Sequence, residues 1–398
     1  MTLRLRPLLR TTHLWVGVAL SLLLLVLAVT GSALVYKEAY WRAVYPELRG
    51  PAPAVGPAEH AAAIAASAEA FGPELRSVKL PEPGVPAYHL YLEGGEAFVA
   101  ADDFRVLDRW SPTGRLMGLL FDVHAHLLAG ERGEQVGGVV ALLGSFLVLS
   151  GVVLWWPARR RFRARHLLPH GTSRPALIQW HRDLGMLTTP LLLVLLLSGA
   201  GIVFYGAAGR ILNGVFGDPP LPAEPAAPTT SALPAGPAGP EVVAAAQDAF
   251  PDARLVFYYP PGPAGEVHRF RAKRPCEVHP NGRSAVHVDG AARVVLAVDA
   301  CTLPPGERAL HALYPLHAGK TGGALYKALA FLGGLALAAL SASGVWAYGL
   351  KLRRSGWGVG TPGSEPAALP LSGAGRHRTQ KLDAVPPHAA APTEHANA

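Results

Sequence analysis

The sequence predicts an α-helical integral membrane protein with four transmembrane helices in two parallel pseudo-repeats and two small α+β domains outside the membrane. Three observations predict this fold. Hydrophobic residues make up 50% of the 398 residues and charged residues only 16%, whereas soluble proteins carry about 25% charged residues. The hydrophobic residues are concentrated in four long runs. Short motifs containing histidine and glycine also occur twice along the chain.

Four hydrophobic runs are long enough to cross a bilayer, which takes about 20 helical residues. They cover residues 14–36, 136–156, 184–205 and 325–350, and the last is interrupted only by Lys327, near one end. The basic start of the first run would also fit a cleaved signal peptide. Its apolar stretch exceeds the about 7–15 residues of such a peptide, so we expect an uncleaved anchor.

The orientation follows from arginines and lysines in the flanks of these runs. Basic residues cluster before the first run, after the second and after the fourth. The positive-inside rule therefore predicts cytoplasmic termini and two long loops on the outer side. The net charge of +8 mostly reflects this topology, so we expect membrane lipid as a partner and no nucleic acid.

The internal repeat consists of two motifs. The first occurs as His13, Gly17, Thr30 and Gly31, and again 168 residues later as His181, Gly185, Ser198 and Gly199. The second occurs as His124, Ser150 and Gly151, and again 193 residues later as His317, Ser343 and Gly344. Corresponding helices run in the same direction, so the predicted repeat is parallel, about an axis along the membrane normal.

Each outer loop contains a helix candidate followed by strand-like segments and turns. The helix candidates cover 57–71 and 240–250; the strands cover 87–92, 96–100, 106–110, 254–259, 267–272, 285–288 and 294–298. A Pro/Ala-rich stretch at 218–240 is expected to be a flexible linker. Cys276 and Cys301, the only cysteines, favour a disulfide in an oxidising compartment, the alternative being two unpaired thiols.

The repeated histidines are the candidate site. The first motif places His13 and His181 at the cytoplasmic starts of helices one and three, while His124 and His317 precede helices two and four on the outer side. A two-fold repeat would bring His13 near His181, and His124 near His317. Each pair of neutral imidazoles could bind one iron axially from opposite sides. Gly17 and Gly185 share the histidine's helix face and would let a flat macrocycle approach closely.

The same histidines and glycines could instead serve structure alone. A histidine at a membrane interface can cap a helix or bind a lipid headgroup, and a glycine stripe more often serves helix packing. His126 could replace or supplement His124. His89 and His311 have no counterpart in the repeat, so we expect surface or structural roles for them. No CxxCH motif occurs, which excludes covalent c-type haem.

These repeated motifs, the basic flanks and the two outer loops resemble the PepSY-associated transmembrane family, which includes iron-regulated membrane proteins and inner-membrane ferric-siderophore reductases. The resemblance covers about residues 1–355. It implies a multi-pass protein of the bacterial inner membrane with two periplasmic PepSY-like domains. For the reductase members it also implies b-type haem, one or two molecules. The iron ligands would be at the matching positions, which are His13, His124, His181 and His317.

The resulting domain organisation has eight parts. These are an N-terminal tail and first helix (1–38), a PepSY-like domain (39–115), a pre-helix and second helix (116–157), a basic cytoplasmic loop (158–180), a third helix (181–206), a second PepSY-like domain with its linker (207–312), a pre-helix and fourth helix (313–352) and a disordered cytoplasmic tail (353–398).

The favoured functional hypothesis is a transmembrane reductase of a periplasmic ferric chelate, serving iron acquisition.

The tail contains Gly358, Gly360 and Gly363 in GxGxxG spacing, but Pro362 would break the helix that such a nucleotide site needs. Without a flavin or NAD motif, the electron donor must be external, either a quinol or a cytoplasmic reductase. No catalytic residue can be assigned from the sequence.

Two further functions compete with this hypothesis. The outer domains could bind or regulate a periplasmic protein or peptide without catalysis, with the helices as anchors. A small-solute permease is disfavoured, because the spans hold almost no charged residues of the kind that line transport pathways.

Overall fold

The computed structural model describes residues 5–162, 164–218, 236–262 and 267–354. Residues 219–235 of the predicted linker at 218–240, the GxGxxG segment and the tail histidines His377, His388 and His395 lie outside these residues. The helices are α1 (Leu5–Leu34), α2 (Lys37–Val44), α3 (Pro57–Phe71), α4 (Leu116–His126), α5 (Gly130–Trp155), α6 (Arg174–Val203), α7 (Tyr205–Phe216), α8 (Pro240–Asp248), α9 (Pro305–His317) and α10 (Gly323–Arg354). The strands are β1 (Leu75–Lys79), β2 (Tyr88–Leu92), β3 (Gly95–Val99), β4 (Val106–Trp110), β5 (Arg254–Tyr259), β6 (His268–Lys273), β7 (Ser284–Val288) and β8 (Val294–Val298).

Four of these helices, α1, α5, α6 and α10, are long and apolar enough to cross a membrane. They form a bundle in which α1 and α6 each contact both α5 and α10. Therefore α1 and α6 lie diagonally across the bundle. Small residues allow close approach: Gly144 on α5 lies beside Leu196 of α6 and Leu24 of α1. A buried leucine cluster of Leu192, Leu196 and Leu340 joins α6 to α10.

The segments that connect the long helices at one end of the bundle form a single eight-stranded sheet. Its order is β4-β3-β2-β1-β5-β6-β7-β8, and each neighbouring pair is antiparallel. Strands β1 and β5 join the two segments through Val78 opposite Tyr258 and Lys79 opposite Phe257. The two domains that the sequence predicts therefore share one sheet, because a strand that the sequence did not reveal, β1, pairs with β5.

Helices α3 and α8 contact each other and cover one face of this sheet. The core between them contains fully buried apolar side chains from both segments, including Ile64, Val78, Val243, Tyr258 and Phe270. Burying one large apolar side chain contributes about 1.5–3 kcal/mol. Because the two segments contribute to one core, neither segment buries its apolar face without the other.

A disulfide joins Cys276, after β6, to Cys301, after β8, with the Cα atoms 6.0 Å apart. The predicted disulfide is thereby confirmed, and the alternative of two thiols is wrong. The bond closes a loop with a sequence separation of 25 residues. We expect the Cys276→Ser/Cys301→Ser variant to lose about 3 kcal/mol of unfolding free energy. Denaturant unfolding with and without a reducing agent checks this, since reduction should destabilise the parent protein and leave the double variant unchanged.

Acid is expected to destabilise the sheet region, because several of its histidines are buried. Burial lowers the pKa of His60 to about 4, of His279 to about 2 and of His311 to about 4, from an ordinary 6.5. A histidine whose folded pKa is depressed contributes stability above pH 6.5 that is lost as the pH falls toward the folded value. The unfolding midpoint should therefore drop between pH 7 and pH 4.5. His60→Gln should flatten part of this slope, and equal midpoints at both pH values would contradict the prediction.

Candidate functional site: two histidine pairs

One histidine pair lies inside the bundle at the end away from the sheet, and we call it the far-side pair. It consists of His13 on α1 and His181 on α6, with ring centroids 6.5 Å apart and ring planes at 89°. The sequence places these residues at the starts of their helices. They instead lie about two turns inside, because α1 begins at Leu5 and α6 at Arg174, ahead of the apolar runs.

The second pair, which we call the sheet-side pair, lies at the end of the bundle next to the sheet. It consists of His124 on α4 and His317 on α9, the short helices that precede α5 and α10. Their ring centroids are 5.9 Å apart and the planes are inclined by 33°. The structure therefore brings together both pairs that the sequence repeat predicts.

Backbone carbonyls fix the protonation of three of the four rings. The Nδ1 atoms of His124, His181 and His317 lie 2.9, 3.0 and 2.9 Å from the carbonyl oxygens of Leu27, Leu340 and Leu195, respectively. A carbonyl oxygen can only accept, so each Nδ1 carries the hydrogen and donates it. In the neutral imidazole the lone pair is then on Nε2, the nitrogen available to a metal.

His13 reaches the same tautomer through a serine. Its Nδ1 lies 2.8 Å from the Ser150 hydroxyl, and that hydroxyl donates its own hydrogen to the Leu147 carbonyl at 3.0 Å. The hydroxyl therefore accepts from His13, again leaving the lone pair on Nε2.

Ser343 and Thr30 occupy similar positions beside two more of the rings. The Ser343 hydroxyl is 3.1 Å from Nδ1 of His181, and the Thr30 hydroxyl is 3.3 Å from Nδ1 of His124. The repeated Ser/Thr-Gly motif thus supplies hydrogen-bonding groups to the histidines. The sequence shows that the motif is repeated but does not predict this role.

The glycine of each Ser/Thr-Gly motif lies against a histidine ring. A Cβ atom at Gly31 would lie 2.6 Å from Cε1 of His124, and one at Gly199 would lie 2.8 Å from Cε1 of His317. At Gly151 and Gly344 the corresponding distances to His13 and His181 are 3.7 and 3.5 Å. The sheet-side rings therefore need glycine beside them, whereas the far-side rings leave room for a methyl group.

Gly17 and Gly185, the glycines that the sequence assigns to cofactor contact, have different neighbours. A Cβ atom at Gly17 would meet only Leu147, at 3.9 Å, and one at Gly185 would meet Leu340, at 3.6 Å. Each glycine faces a leucine of the adjacent helix rather than a ring of the pairs. Their contact with a macrocycle stays a prediction.

The two pairs are separated by most of a membrane thickness. His13 and Gly31, which contacts His124, are 18 residues apart on α1, and His181 and Gly199 are 18 residues apart on α6. At about 1.5 Å per helical residue, this spacing is about 27 Å. The hydrocarbon core of a bilayer is about 30 Å thick.

Burial keeps the sheet-side rings neutral, since it lowers the pKa of His124 to about 4 and also lowers the pKa of His317.

His126 is not part of this pair. Its Nδ1 lies 2.8 Å from a carboxylate oxygen of Asp122, whereas the ring that faces His317 is that of His124. Asp122 is therefore engaged by His126 and does not touch the His124 ring in this geometry.

Asp183 and His89 have local partners of their own. Asp183, next to His181, is fully buried and accepts hydrogen bonds from Arg182 at 2.8 and 3.1 Å. His89, expected at the surface or in a structural role, is buried in the sheet and bonded to Glu96 at 2.6 Å, so its role is structural.

The pairs fit a metal that needs two protein ligands. Among the described residues, no group of three His, Cys, Asp or Glu side chains converges as a site for a bare metal ion. A metal–imidazole bond of about 2.0 Å places two axial imidazole centroids about 6.3 Å apart. The observed separations of 6.5 and 5.9 Å bracket this value. With their Nε2 lone pairs, His13 and His181 could hold one haem iron and His124 and His317 a second.

Comparison with known proteins agrees with the sequence resemblance. The family model described as the PepSY-associated TM region matches residues 10–351. Comparison with curated proteins gives no match.

Proposed function

Because the chain belongs to the PepSY-associated TM family, we propose that it is a bacterial inner-membrane electron-transfer protein that binds two b-type haems and reduces a periplasmic ferric chelate. In this proposal the termini are cytoplasmic, as the positive-inside rule indicates. The sheet region is periplasmic, and the oxidising periplasm would preserve the Cys276–Cys301 disulfide. The two halves are related as parallel pseudo-repeats.

The single observation that carries the proposal is that four imidazoles form two pairs and all four carry their hydrogen on Nδ1, which leaves each Nε2 lone pair free. Each pair contains one ring from residues before 163 and one from residues after it, and at centroid separations of 6.5 and 5.9 Å the two rings of a pair would hold one haem iron between them. When bound, haem supplies a one-electron iron couple whose potential depends on its axial ligands and surroundings.

The surrounding residues hold and tune the ligands. A hydrogen bond from Nδ1 to a carbonyl or hydroxyl fixes the ring's orientation and makes Nε2 a stronger donor to a metal. Among the described residues, His13 donates to a serine hydroxyl, while His124, His181 and His317 donate to carbonyl oxygens. The ligands of the two pairs are thus not equivalent, which would give the two sites different potentials.

The position of the pairs supports transmembrane electron transfer. They lie about 27 Å apart along α1, at opposite ends of the hydrophobic bundle. The far-side pair is placed to receive electrons from a quinol or a cytoplasmic reductase, and the sheet-side pair to deliver them to the periplasm. Reduction weakens the binding of iron by the chelating ligand, because hard oxygen ligands bind Fe(III) better than Fe(II).

Absorption spectroscopy of the purified protein tests this function. We expect a reduced-minus-oxidised spectrum with b-type bands and a haem content of two per chain. Chemically reduced protein should reoxidise when it is mixed with ferric citrate, with Fe(II) appearing in equal amount. Protein that is folded but lacks b-type bands, or that stays reduced with every ferric chelate, would contradict the proposal.

A further inference from the structure

A positively charged cleft opens beside the sheet-side pair. It encloses ≈ 340 Å³ and lies between the sheet, the start of α2 and the connection from α9 to α10. Its charged lining consists of Arg254, Lys273, Lys320, Lys327, Glu38 and Glu82. The four cations outnumber the two carboxylates, so the cleft attracts anions.

Both carboxylates in the cleft are already neutralised. Glu38 accepts a hydrogen bond from Lys320 at 2.8 Å. Glu82 is bonded to Lys79, a lysine outside the lining, and also lies 3.6 Å from Nη2 of Arg254. Two lining cations keep spare hydrogen-bonding capacity: Arg254 has a buried Nη1 without a hydrogen-bond partner among the described residues, and Lys327 contacts the face of the Tyr36 ring at 5.3 Å. The buried Nη1 of Arg254 is thus a donor that a ligand entering the cleft could satisfy.

The backbone at the cleft also favours an anion. Gly319, Gly322 and Gly323 all have positive φ values, of 66°, 65° and 68°, and Gly319 and Gly323 line the cleft. They form the turn that begins α10, and the amide groups and dipole of a helix N-terminus favour negative charge. Lys327 lies one helical turn further on the same face. Lys327, the residue that interrupts the fourth hydrophobic run, therefore lines this cleft.

We propose that the cleft binds the substrate and selects ferric chelates that are net negative, with exposed carboxylate or catecholate oxygens. This inference rests on the proposed function. The cleft is close to the redox site in the chain, because Gly319 is two residues from His317. A chelate held by Arg254 and Lys327 would therefore lie next to the sheet-side pair.

Binding of a redox-inert probe tests the cleft separately from electron transfer. Gallium(III) citrate should bind the purified full-length protein, with any haem that it carries, measured by calorimetry. Arg254→Gln/Lys327→Gln should weaken its binding at least about tenfold, as expected for losing a charge-assisted hydrogen bond. A control is Arg76→Gln, which removes an exposed cation of β1 that pairs with Glu93 outside the cleft; it should leave the affinity unchanged.

Three results would overturn the cleft assignment. The double variant could bind gallium citrate as tightly as the Arg76 control, or a cationic gallium trihydroxamate could bind as tightly as the citrate complex. Phosphatidylglycerol bicelles could also displace the citrate complex, which would make the cleft a lipid headgroup site. Failure of the proposed function is distinguishable, since it would show as missing haem bands while gallium citrate binding persists.

Discussion

Replacing His181 by alanine is expected to remove one of the two haems and to abolish ferric reduction by electrons that enter at the far-side pair. The variant leaves His13 as a lone imidazole, because His181 is the ring that faces it at 6.5 Å. The haem content, measured as the pyridine haemochrome, should fall from about two to about one per chain, since bis-imidazole ligation needs both rings. Reduction of ferric citrate from a donor on the cytoplasmic side should fall at least about a hundredfold.

His126→Ala is the matched control for this experiment. His126 is a neighbouring histidine on α4, but it is bonded to Asp122 and not to the pair. Its loss should leave two haems per chain. A His181→Ala protein that retains full haem content and normal reduction, or a His126→Ala protein that loses a haem, would show that the pairs are assigned to the wrong rings.

Adding one methyl group at Gly31 or Gly199 should remove the sheet-side haem. In Gly31→Ala the new Cβ would lie 2.6 Å from the His124 ring, and in Gly199→Ala it would lie 2.8 Å from the His317 ring. Both distances are shorter than real Cβ contacts, so the ring must leave its present position. We expect about one haem per chain in each variant and a lost sheet-side redox signal in potentiometric titration.

Gly151→Ala and Gly344→Ala provide controls of the same chemistry in the same motif. Their Cβ atoms would lie 3.7 and 3.5 Å from the far-side rings, which is ordinary contact. These variants should keep two haems and near-normal potentials. If all four alanine variants behaved alike, the loss would reflect general helix packing and not the position of the rings.

Local patterns in the sequence predict much of the fold. The four spans follow from run length, and helix α3 coincides with the predicted 57–71 segment. Strand β1, at Leu75–Lys79, is the exception among the strands, since the sequence does not predict it. The joined sheet depends on pairing β1 with β5, residues that are far apart in sequence. A pairing of this kind leaves no signal in either strand alone.

The candidate site is predictable to a similar extent. The repeat identifies all four histidines, because duplication of a motif is visible in one sequence. The hydrogen-bond partners are not visible, since Ser150 reaches His13 only through the contact of α5 with α1. The rotation of each helix likewise decides that Gly31, and not Gly17, lies against a histidine ring.

The division of each pair between the two parts of the chain has a consequence for biosynthesis. A product that stops near residue 163 contains His13 and His124 but neither partner ring. It also lacks β5, against which β1 is paired. Such a truncated or proteolysed fragment would offer a haem only one imidazole per site. If the pairs bind haem as proposed, a content of two haems per chain would report that both parts of the chain, as far as His317, have been made and assembled.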